Sequence, residues 1–373
     1  NGPQSYQRPR SLVRSTSPQR SLVVAGLRRK RIHFTQRLDL VPDGVVDPVA
    51  DRVVEMLLRN RCSTAFLVAY EDVAGESWLL ADAVFSRLRA AGVDIIDQVV
   101  ARDGRVHYPR EDGPLSDVGD PLPTDDRVPA VADFIARGRR PAASRGELEE
   151  WVGASAQAPA DVVAAVRRLL PGQALGVPVD LTAVREPAIR AWGGFLSVED
   201  DSWFGAEPAA TAAQIAAMLV GLADRDLRDL VIGWLCPGQL DGSELPTDLL
   251  GWLEESFPAR DWQRRDAGSA SADDEQCVAR LQQRLCWLAR QAPEDHAPGV
   301  LTVLAAYAWH CGDGALTNSA LDRALRIDPS YRLALLLQRV VELGLREEHP
   351  AVPPARRARR ARSRAARRWP AAG

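Results

Sequence analysis

The sequence predicts α/β plus all-α architecture: a small mixed-sheet α/β domain over residues 20–110, then a larger all-helical domain over 129–345. Three observations carry this reading. Short apolar runs rich in β-branched residues alternate with helical stripes as far as Tyr108. Beyond residue 128 the strand signal nearly vanishes while helical spacing persists. Between the two stands EDGPLSDVGDPLPTDDRV, a Pro/Gly/Asp-rich connector over 111–128.

Residues 1–19, NGPQSYQRPRSLVRSTSPQ, are polar, Pro-containing and aperiodic, and little order is expected there. SLVVAGL and RIHFTQRLDL flank the charged turn RRK, which predicts a hairpin. Asp47-Pro48 is expected to cap and open a helix carrying Val49, Val53, Met56 and Leu57 on one face. TAFLVAY reads as a buried strand. A helix over 76–91 follows, with Leu80, Val84 and Leu88 on one stripe and Gly92 as its stop. VDIIDQVVAR is the next strand, and Asp103-Gly104 turns it into RVHY. The order β-β-α-β-α-β-β favours a parallel crossover within the sheet, with hairpins adding antiparallel edges.

The second unit shows helical spacing over about 129–137, 144–153, 160–170, 211–235, 246–256 and 273–291, interrupted by CPGQLDGSELP and RRDAGSASADDE. Its ending, GDGALTNSALDRALRIDPSYRLALLLQRVVELG, is a helix, a Pro break and another helix. Leu316, Ala320, Ala324 and Ile327 form one stripe. Tyr307, Leu321, Ala324 and Pro329 fall near the aromatic, bulky, small and Pro positions of a tetratricopeptide unit. One such unit cannot form a solenoid groove, so this tetratricopeptide-like helix pair is expected to bury its leucines as the end-piece of the helical core.

The apolar fraction of 46% and charged fraction of 26% are those of an ordinary globular protein. The longest nearly uncharged apolar stretch, Pro298 to Trp309, is far short of the roughly 20 residues that span a bilayer, so no membrane partner is expected. With no basic-then-apolar start and five scattered cysteines lacking any CxxC, a reducing cytoplasmic location is expected. Lys30 is the only lysine among 47 basic residues, the signature of GC-rich coding. Eight arginines lie between Arg356 and Arg368, so a near-neutral total hides an acidic body and a basic tail over 346–373. Both ends of the chain have the Arg/Pro/Ala/Ser-rich composition of a shifted reading frame as well as that of a genuine tail.

Four segments carry a family resemblance: SLVVAGL with its following strand, VADFIARGRRPAASRGELEEWV, IAAMLVGLADRDLRDLVIGWL and GDGALTNSALDRALRIDPSYRLALLL. The chain resembles the actinobacterial family known as domain of unknown function 4192 over roughly residues 18–345. The resemblance implies the two-part architecture and brings no activity with it. Two departures stand out. Members usually begin with a strand and helix ahead of the first hairpin, where this chain has its polar start. Many also carry a Cys-containing loop after the DGR strand, where this chain reads DGRVHYPREDGPL, so a metal role there does not transfer.

No phosphate-binding, zinc-protease, nucleophile-elbow or calcium-loop motif occurs, and His33, His107, His296, His310 and His349 lack ligand spacing. No cofactor and no metal are therefore expected. The strongest acids for a ligand site are Glu71 and Asp72, just past a strand where α/β sheets bind ligands. Acids there could hold a ribose hydroxyl or a metal, or simply cap a helix. Asp224 with Arg228, and Arg225 with Asp229, sit four residues apart, as an exposed paired helix face or a patch for a partner. Arg356, Arg357, Arg359 and Arg360 could touch phosphates, with a salt slope of about −7 for the whole tail on duplex DNA. Trp234, Trp252, Trp287 and Trp309 are expected in the core.

The leading expectation is thus a non-enzymatic interaction or scaffold protein whose partner is another protein. A small-molecule or nucleotide-binding α/β protein with a site at Glu71 and Asp72 is the alternative, and nucleic-acid association through the arginine tail the second.

Overall fold

The structure is a computed structural model describing residues 20–28, 31–108, 119–123, 127–128, 145–153, 157–170, 181–197, 208–240, 243, 245–258 and 272–344. The helix expected over 129–137, the terminus 1–19 and the arginine tail lie outside the described residues.

The hairpin forms as expected from β1 (Ser21–Arg28) and β2 (Arg31–Asp39). They join β3 (Thr64–Tyr70), β4 (Asp94–Arg102), β5 (Arg105–His107) and β6 (Asp120–Pro121) in one sheet of order β2-β1-β3-β4-β5-β6. Only β3 and β4 pair in parallel, and helix α2 (Trp78–Ala90) makes their crossover. Asp103 and Gly104 both take positive φ, the backbone that a two-residue hairpin turn needs. β6 falls inside the expected connector. Its two residues have no alternation to betray them, yet they close the sheet edge against β5.

Helix α1 (Val46–Arg59) packs with α2 on one face of the sheet, and Leu22, Val24, Leu67, Val53, Leu57, Val84 and Leu88 form the shared core. Asp47 is not its cap: the helix opens at Val46 after a short 3-10 turn over Asp43–Val45. The Asp47 carboxylate instead takes a hydrogen bond from Arg87 of α2 at 2.6 Å, and Asp51 takes another at 2.7 Å. A smaller cluster of Val23, Val68 and Val99 lies on the other face.

The rest is helical: α3 (Arg145–Trp151), α4 (Ala160–Leu169), α5 (Thr182–Leu196), α6 (Ala212–Gly221), α7 (Arg225–Leu235), α8 (Thr247–Ser256), α9 (Ala272–Gln291), α10 (Ala297–His310), α11 (Gly314–Ile327) and α12 (Arg332–Glu342). The stretch expected as 211–235 is two helices, and Asp224 caps the second. Helix α5 was not expected at all. Apolar α10 sits at the centre, touching α6, α7, α9, α11 and α12. Trp192 of α5 is fully buried and packs edge-on against Phe195, which stacks on Trp287. Trp234 and Trp287 are in the core, while Trp252 packs against it part-buried and Trp309 is also part-buried.

Arginines from elsewhere in the chain close several helix ends, whose last carbonyls have no partner within their own helix. Arg284 donates to the carbonyls of Phe195 and Ser197 at 2.5 and 2.6 Å, closing α5. Arg323, buried in α11, donates to Val152 just past α3 and to Ala289 of α9, and Arg290 donates to Trp151. At the end of α12, Arg52, Arg59 and Asn60 reach across from α1 to the carbonyls of Glu342, Leu343 and Gly344. The two units are therefore bonded where the last helix ends.

The expected end-piece is half right. Leu316 and Leu321 of α11 are buried and Ile327 packs on the core. Helix α12 seats Ala334, Leu337 and Val341 on the core, keeps Leu333 and Val340 part-buried, and leaves Leu335 42% and Leu336 55% exposed.

Candidate functional site

Glu71 leaves the end of β3 and its side chain, 1% exposed, turns inward. Its carboxylate accepts from the amides of Gly75 at 3.0 Å and Ser77 at 3.1 Å, from the Ser77 hydroxyl at 2.6 Å, and from Arg102 at 2.9 Å. Arg102 ends β4, the parallel neighbour, so the pair bridges the two strand ends. Glu76 completes the loop by accepting from the amides of Asp72 at 2.5 Å and Val73 at 3.2 Å and from Arg20 at 2.9 Å. Burial pushes the Glu76 carboxyl up, but these amides and Arg20 outweigh it and hold it below the usual range. Four amides of the 72–77 turn are thus satisfied by the chain's own carboxylates. Asp72 itself points to exposed ground. Of the two expected acids, one is an internal strut and one a surface charge, and they do not converge.

The helix expected to show two i,i+4 pairs is arranged otherwise. Asp224 is buried and caps α7, accepting from the amides of Asp226 at 3.0 Å and Leu227 at 3.4 Å. Its ion-pair partner is Arg185 of α5, not Arg228, and Arg185 also reaches Asp226 at 3.2 Å. Arg228 donates to adjacent Asp229 at 2.8 Å and to the Tyr331 hydroxyl, which ties α7 to the turn before α12. Arg225 and Asp229 are 3.9 Å apart, and Arg225 is 82% exposed, so that pair contributes little. Asp224 and Arg228 serve packing between helices; Arg225 is left as surface charge. Arg356, Arg357, Arg359 and Arg360 lie outside the described residues.

Two buried cysteines are poorly suited to nucleophilic work. Burial pushes the Cys62 thiol up to about 11 and the Cys286 thiol to about 12, so both stay protonated at neutral pH. Among the described residues no group of three or more His, Cys, Asp or Glu could hold a metal ion, and no helix is long and apolar enough to cross a membrane.

A family described as a domain of unknown function, DUF4192, matches residues 15–348. The chain belongs to this family. No curated protein and no solved structure matches it. Among the described residues of this DUF4192 chain, exposed apolar side chains that are close neighbours in sequence include two groups. One is Leu335 and Leu336 on α12. The other is Val73, Trp78 and Leu79 around the start of α2, at 66%, 51% and 52% exposure. Neither was singled out by the sequence reading, although LALLLQRVVE, apolar at consecutive positions, could have signalled a helix with more leucine than one face can bury. Arg102 and Ser77, the partners of Glu71, lacked any such signal.

Proposed function

We propose that this chain is a non-enzymatic protein-binding unit that docks its partner on helix α12. The observation that carries the reading is the pair Leu335 and Leu336, exposed side by side on a helix whose opposite face is seated on the core. Apolar side chains held out on an anchored helix offer a contact whose ordering cost is already met. Three ties support that anchoring: α11 beneath it, Arg228 on Tyr331 at its start, and the α1 donors at its end. The competing ligand site has less in its favour, because a ribose or metal at Glu71 would first have to displace four hydrogen bonds.

The test places a photoreactive phenylalanine at position 336 in the full chain. One discrete adduct is expected. The cross-linked protein, purified and titrated against the wild-type chain, should bind about thirtyfold more weakly to Leu336→Glu, the equivalent of about 2 kcal/mol for one central contact. Binding indifferent to Leu336→Glu, or reproducible turnover of a small metabolite, overturns the reading.

A further inference from the structure

Resting on that docking role for α12, we propose that its partner is a second copy of this chain, engaged head to tail through the patch at the start of α2. The two patches are complementary in charge. On α12 the exposed leucines are bracketed one turn away on each side by exposed Arg332 and by exposed Arg339, which also pairs with Glu342 at 3.4 Å. Those arginines are seven positions apart, about 10.5 Å or two turns along the helix. At the start of α2, Val73, Trp78 and Leu79 are bordered by exposed Asp72 and by exposed Asp82, one turn beyond Trp78. A basic-rimmed leucine pair and an acidic-rimmed tryptophan patch suit each other, whereas either patch against its own twin would face like charges.

The fold sets the start of α2 and the end of α12 at opposite ends of β3. Trp78 lies beyond the carboxyl end of β3, because α2 starts there. The end of α12 is bonded to Arg59 and Asn60, which lie at the other end of β3, just before Thr64. The 7 residues of β3 hold these ends about 23 Å apart. A contact between unlike patches on separate copies leaves one of each free, so it propagates into rings or open chains rather than stopping at a dimer.

Sedimentation velocity on the full chain over a concentration series, at low and at high salt, reads this out. Assembly beyond two copies is expected, and salt should weaken it. Leu336→Glu and Trp78→Glu should each abolish it alone. Mixed together they should give a mass of two chains and no more, since one intact patch remains on each. Arg339→Glu and Asp82→Arg should each fail alone, and mixed they should restore the larger assembly with the two variants alternating, since every contact between them is again of opposite charge. All four side chains are exposed, and circular dichroism of each variant checks that the fold is kept. A chain that stays single at every concentration overturns the proposal. So does a mixture of Leu336→Glu and Trp78→Glu that fails to give a dimer. If a different protein still binds α12 and loses affinity with Leu336→Glu, self-association falls while the docking role stands.

Discussion

Replacing Glu71 with alanine removes the acceptor of four hydrogen bonds at once. The Arg102 guanidinium, 15% exposed, loses a partner at 2.9 Å and keeps only a 3.8 Å approach to Asp103. Removing one member of a buried pair costs about 3–5 kcal/mol, and partial access to water puts Arg102 near the lower figure. The amides of Gly75 and Ser77 add about 1 kcal/mol between them, since the vacated space lets water in. The total is about 4 kcal/mol, a large share of the 5–15 kcal/mol that holds a domain together. For a unit of about 100 residues, each kcal/mol lowers the melting temperature by about 4–8 °C. Urea unfolding should therefore shift the α/β transition strongly to lower denaturant, with the helical transition moving less. Glu71→Gln keeps one acceptor and turns an NH2 group toward the Gly75 amide and Arg102, for a loss of about 2–3 kcal/mol. Hydrogen exchange at the Gly75 and Ser77 amides should quicken in both variants. If Glu71→Ala unfolds within about 0.5 kcal/mol of the wild type, the strut assignment is wrong and the carboxylate is available for another task.

Three further outcomes follow from the packing. Gly193→Ala would put a Cβ 2.0 Å from the Ser256 carbonyl oxygen, so α5 and α8 must part; a loss of about 3 kcal/mol is expected in urea melts. Arg323→Met keeps the buried stem but strands the carbonyls of Val152 and Ala289, for about 2 kcal/mol, and faster exchange should appear at the end of α3. Burial pushes the His296 imidazole below its usual 6.5, so the unfolded chain takes up this proton first. Its contribution is neutral above pH 6.5, and stability is lost as pH falls from there toward the lower folded value; His296→Gln should flatten that part of the melting curve against pH.

The strands and the first helices were readable because their apolar period and turn residues are local. Helix α5 was not. Pro187 and the pair Gly193-Gly194 read as breakers, and its buried residues, from Val184 to Trp192 and Phe195, lie on more than one face. The break between α6 and α7 hid inside a continuous apolar run, and only the capping character of Asp224 could have exposed it. Glu71 shows the harder limit. Its place at a strand end was visible, but the inward turn of its carboxylate depends on Arg102, which is 31 positions further on, and on Ser77. Leucines 335 and 336 likewise look like core in a periodic helix until the neighbours of α12 are known.

The reach of Arg52, Arg59 and Asn60 to carbonyls 290 and 284 positions later joins the first described helix, α1, to the last described one, α12. During synthesis the α/β unit can fold long before that junction has anything to hold. A product cut short ahead of Glu342 would keep its sheet and lose the clasp, so its α12 should be the part that proteases find first.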